Sequence, residues 1–69
     1  MSKFELTKSI EARKLNPRTR LPVGPPQTVP CGAIIEGLVR ERGTAHFTYL
    51  GEPYEAPYER VEPALSKLT

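Results

Sequence analysis

Residues 32–63, GAIIEGLVRERGTAHFTYLGEPYEAPYERVEP, decide the fold. Three apolar runs are separated by two short turn signals, Arg40-Glu41-Arg42-Gly43 and Leu50-Gly51-Glu52-Pro53. Apolar runs of strand length bounded by glycine and proline are the pattern of antiparallel strands, so this stretch reads as the second half of a small β-barrel. A strand is expected from Ala33 to Arg40, with Gly37 marking a bulge or sharp bend, because a glycine inside a strand has no side chain to pack. A second strand spans Ala45 to Leu50. The next turn suits a two-residue hairpin with Gly51 at the first central position, where positive φ is needed. That register sets Tyr49 opposite Tyr54 and Phe47 opposite Ala56, all on one face, with Thr48 and Glu55 on the other. Pro57-Tyr58-Glu59-Arg60 fits a single 3₁₀ turn, Val61–Ala64 the closing strand, and residues 66–69 a frayed tail.

Upstream, Phe4, Leu6, Ile10 and Ala12 share parity with polar residues mostly between them, which predicts a strand with one buried face, most securely over Ser9–Lys14. From Leu15 to Cys31 the chain holds five of its eight prolines. Proline lacks the amide that a sheet or helix interior needs, so this segment reads as an ordered loop, pinned back by Leu21, Val23 and Val29.

At 69 residues the chain is one domain, residues 1–69, near the size where a single core supplies only a few kcal/mol of net stability. Walls for a deep catalytic pocket are hard to build from so few apolar side chains, which argues for surface binding and against an enzyme. Net charge is +2, unevenly spread. Lys3, Lys8, Arg13, Lys14, Arg18 and Arg20 crowd the first third, while Glu52, Glu55, Glu59 and Glu62 lie late. In a barrel whose first and last strands are neighbours, these segments are expected to pair across the closure. The single cysteine, Cys31, excludes an internal disulfide and any cysteine-based metal site. It fits a reducing compartment, and with no apolar run long enough to span a membrane the expected location is the cytoplasm.

Taken together, Gly32-Ala33-Ile34-Ile35-Glu36 and Pro57-Tyr58-Glu59-Arg60-Val61-Glu62-Pro63, with two strands and a tight turn between them, resemble the second half of an SH3 domain. The resemblance implies an all-β, SH3-like barrel of about five strands, with residues 9–31 supplying the first strand and a long proline-rich RT-type loop, and a 3₁₀ turn before the last strand. SH3 domains bind polyproline segments on an aromatic groove, and those positions differ here. The family's Ala-Leu-Tyr-Asp-Tyr segment corresponds to Ala12-Arg13-Lys14-Leu15-Asn16, without an aromatic. The paired tryptophans fall near Thr44, Ala45 and His46, the tyrosine before the closing valine is Arg60, and Pro57 alone remains. Arg18 and Arg20 replace the acidic RT-loop residues. The resemblance therefore implies the barrel without the conventional PxxP-binding site.

Among individual residues, His46 lacks an evident partner for acid–base or metal work and reads as a strand-surface histidine. Cys31 reads as a small residue at a loop–strand junction. No cofactor or metal is implied. The leading expectation is a non-catalytic module recognising a protein partner through Arg18, Arg20, Tyr58 and Arg60. Tyr49, Tyr54 and Tyr58 divide between core rim and binding surface, with Tyr58 expected to be exposed. The runner-up is nucleic-acid binding by Arg13, Lys14, Arg18 and Arg20 through phosphate contacts, since no aromatic lies between them to stack bases. A homo-oligomer that covers a barrel edge is the third class.

Overall fold

The structure is a computed structural model and describes residues 3–67. Its strands are β1 (Lys3–Leu6), β2 (Ile10–Lys14), β3 (Gln27–Val29), β4 (Ile34–Glu41), β5 (Thr44–Tyr49), β6 (Glu52–Pro57) and β7 (Leu65–Lys67). Between β6 and β7 lie a short helix, α1 (Tyr58–Val61), and a 3₁₀ turn, Glu62–Ala64. The strands form one curled, fully antiparallel sheet in the order β3-β2-β6-β5-β4-β1-β7.

There are thus seven strands among the described residues rather than about five. One reason lies at the N-terminus. The inward parity of Phe4, Leu6, Ile10 and Ala12 persists, but Thr7–Ser9 break the run, so β1 pairs with β4 and β7 while β2 pairs with β6 and β3. The other lies in the proline-rich segment, which is not a strandless loop. Ile10 pairs with Val29 and Ala12 with Gln27, and the pairing resumes further out in a Leu15–Pro22 bridge. Val23 N–H donates to the Lys14 carbonyl at 2.9 Å and Asn16 N–H to the Leu21 carbonyl at 2.9 Å. Residues 10–29 are therefore one long hairpin arm, interrupted near Gly24-Pro25-Pro26, where two consecutive prolines cannot donate to a ladder. Only Val29 of its three expected anchors is buried; Leu21 and Val23 are 63% and 42% exposed.

Both tight hairpins are two-residue turns whose central residues all have positive φ: Arg42 (50°) and Gly43 (79°), then Leu50 (53°) and Gly51 (79°). This is type I′ geometry, which matches the right-handed twist of the flanking strands. Gly51 consequently occupies the second central position, not the first, and Tyr49 lies opposite Glu52 while Phe47 lies opposite Tyr54. The expected Tyr49–Tyr54 and Phe47–Ala56 pairings are displaced by two residues. An even displacement preserves parity, so the face assignment survives: Ala45, Phe47, Tyr54 and Ala56 are buried and Tyr49 packs at their margin. The Phe47 and Tyr54 rings stack at 6.1 Å between centroids, and Tyr49 meets Tyr54 edge-on at 5.9 Å. Gly37 has φ of 62° and sits where the β4–β5 register shifts between Glu36 and Val39, the expected bulge.

Past Pro57 the chain stays helical further than a single 3₁₀ turn. Val61 and Ala64, expected in a closing strand, instead point into the core from α1 and the 3₁₀ turn, both fully buried. Their spacing of three suits a helical face better than a strand face, where residues of odd separation point opposite ways. The closing strand is β7, so Ser66 and Lys67, expected in a frayed tail, are paired with Glu5 and Phe4; the rest of that tail lies outside the described residues. Leu6, Leu15, Val29, Ile35 and Val61 are the largest fully buried side chains, drawn from the arm, the sheet and the helix alike.

A candidate binding groove where two strands part

β2 and β6 pair at Lys14–Tyr54 and Arg13–Glu55 and no further. The cause is visible in the sequence of β6. Leu15 N–H donates to the Pro53 carbonyl at 2.9 Å, so odd-numbered residues of β6 turn their backbone polar groups toward β2 and even-numbered ones toward β5. Pro53 and Pro57 both fall on the β2 side. Proline costs nothing as an acceptor at position 53 but has no N–H to offer at position 57. The ladder stops there.

An open groove of about 1030 Å³ lies beside the end of this ladder. Its walls come from β2, the β3 side at Pro26 and Thr28, the end of β6, the Gly43–Thr44 turn, α1 and Pro63, and Lys8, Glu11, Arg13, Glu55, Pro57 and Arg60 give it its character. Three cations thus face two carboxylates. By the same alternation that orients β6, the N–H and C=O of Glu11, two residues before Arg13, point into the groove. The sequence singled out Arg13 through its basic cluster and Arg60 through its place beside the 3₁₀ turn as binding candidates, whereas Lys8 and Glu55 stood out only as part of the charge distribution. The available signal was Pro57, a donorless residue at a strand end.

The remaining candidate residues are distributed elsewhere. Arg18 and Arg20 ride the tip of the hairpin arm, which is tied down by Asn16: its Oδ1 accepts from the backbone N–H groups of Arg18 (2.8 Å) and Thr19 (3.3 Å), and its carbonyl accepts from Arg20 N–H (2.7 Å). Arg20 itself takes a φ of 63°. It lines a second, smaller cavity of about 400 Å³ with Val39, Glu41 and His46. Arg20 and Arg60 therefore border different cavities. Tyr58 is half-buried instead of exposed, and the Arg40 guanidinium lies 4.6 Å from its ring centroid. Tyr54 is buried, its hydroxyl 3.5 Å from Gln27 Oε1 on β3. Cys31 is exposed in the turn that precedes β4.

The basic first third and the late acidic segment do pair, at Lys14–Glu52, but across β2–β6 and not across a closure of first and last strands; a further pair joins β1 and β4. Lys14 forms an ion pair with Glu52, and Lys3 Nζ lies 3.9 Å from Glu36 Oε1. Arg13 is the cross-strand neighbour of Glu55, which is in turn the neighbour of His46, so one row across the outer face reads Arg13, Glu55, His46, Val39. Half of the basic cluster Arg13, Lys14, Arg18 and Arg20 is therefore matched by glutamates of β6. The two ion pairs among the described residues do not involve Arg18 or Arg20.

Among the described residues no helix is long and apolar enough to cross a membrane. Comparison with protein-family models, with curated proteins and with solved structures finds no match for this chain.

Proposed function

We propose that the chain is a non-catalytic protein-interaction module on an SH3-like barrel, not a conventional PxxP-binding SH3 domain. The observation that carries this reading is the open groove between β2, β6 and α1, whose walls mix cations, carboxylates and prolines. A wide, shallow site of mixed charge suits an extended protein segment better than a small molecule, which favours enclosure. Arg60 takes part within the groove. Arg18 and Arg20, exposed on a tip held by Asn16, form a second contact region, where charge acts mainly on encounter rate and orientation. Tyr58 contributes by packing under Arg40 and holding α1 in place.

Nucleic-acid binding is less well supported, since Lys14 and Arg13 lie against Glu52 and Glu55 and a phosphate would have to displace them. Selection of a random peptide library on the immobilised chain tests the reading. Peptides should be enriched whose binding weakens on charge reversal at Arg60, or at Arg18 and Arg20 together. The reading fails if no peptide is enriched and a short single-stranded RNA instead shifts the amides of residues 13–20 in a salt-sensitive way.

A further inference from the structure

Resting on the protein-partner reading, we infer that the groove takes an acidic, extended segment of its partner as an added strand along the open edge of β2. Three observations meet at this place. First, the β2–β6 ladder ends at Arg13–Glu55, because Pro57 has no amide to donate to the Glu11 carbonyl. Second, β3 occupies the other edge of β2, pairing through Ile10, Glu11 and Ala12, so the groove-side carbonyl of Glu11 meets no donor at position 57 of β6, and Ser9 lies beyond it on the groove wall. An exposed edge of this kind is a template for strand addition. Third, Lys8, Arg13 and Arg60 line the same groove; Arg13 lies across the ladder from Glu55, and the two ion pairs among the described residues involve neither Lys8 nor Arg60. Lys8 and Arg60 are placed to meet carboxylates carried on one face of a bound strand.

Proline at position 57 then has a definite role. It prevents the protein's own β6 from closing the site, while β6 remains anchored to β5 through Ala45–Ala56. Pro57→Val would restore a donor opposite Glu11 and let β6 compete with the partner.

The test is amide-shift titration of the labelled whole chain with a short synthetic peptide alternating glutamate and threonine. Its controls are the same peptide with lysine for glutamate and the glutamate peptide N-methylated at alternate residues. The glutamate peptide should shift residues 9–12. N-methylation, acting on the unaltered protein, should weaken binding about tenfold, equivalent to about 1.4 kcal/mol, as should Pro57→Val. Equal binding by the lysine peptide, undiminished binding after N-methylation, or no shift at residues 9–12 would overturn the inference. Shifts confined to Arg18–Arg20 would also overturn it while leaving the protein-partner reading in place, which fails separately if the peptide library yields nothing and RNA shifts residues 13–20.

Discussion

Leu50→Asn should make the protein more stable, and the reason is specific to the register of the β5–β6 hairpin. Leu50 has a φ of 53° and is 81% exposed. Left-handed backbone costs a residue with a Cβ about 1–2 kcal/mol, and asparagine, with a short side chain that bonds locally, tolerates it best after glycine. Because Leu50 buries little surface, almost no hydrophobic contribution is lost to offset the relief. Followed by Gly51, the substitution produces the Asn-Gly pair that type I′ turns favour. A gain of about 1 kcal/mol is expected, which in a domain of this size raises Tm by roughly 4–8 °C. Urea unfolding should show a higher midpoint at unchanged slope. If Gly51 instead held the first central position, residue 50 would be extended, where asparagine is a poor strand former. Unchanged or reduced stability of the variant would refute the register.

Arg40→Ala removes the guanidinium from the Tyr58 ring and should cost about 0.5–1 kcal/mol, with faster amide exchange through residues 58–61 as the local readout. The Lys14–Glu52 pair, part-exposed on both sides, should show a coupling of no more than about 1 kcal/mol in a Lys14→Met, Glu52→Gln double-mutant cycle, and the coupling should shrink in high salt. Gly37→Ala should destabilise by about 1 kcal/mol through its φ of 62° alone, because an added Cβ there meets open space; a much larger loss would point to a clash the bulge does not contain.

Periodicity carried the sheet but not its endings. The inward faces of β2, β5 and β6 were legible because parity survives both a two-residue register displacement and the break at Thr7–Ser9. That same robustness hid the break, since Phe4, Leu6, Ile10 and Ala12 read as one strand. Val61 and Ala64 looked like strand residues until their spacing of three was met by a helix. The proline-rich arm was harder, because its pairing runs through a three-residue β3 and then a lone Leu15–Pro22 bridge and backbone bonds that need no side-chain pattern. Arg60 was legible as a candidate from its place before the closing valine, beside the turn that begins at Pro57. The groove was not, because it arises from where β2 and β6 stop pairing, a tertiary fact written locally only in the missing amide of Pro57.

Hydrogen exchange at the amide of Glu11 tests the central claim most directly. In the free protein this amide should exchange much faster than those of Arg13 and Glu55, which close the β2–β6 ladder, and it should slow when the glutamate–threonine peptide is added. Protection of Glu11 in the free protein, or an exchange rate untouched by saturating peptide, would contradict an open edge at β2.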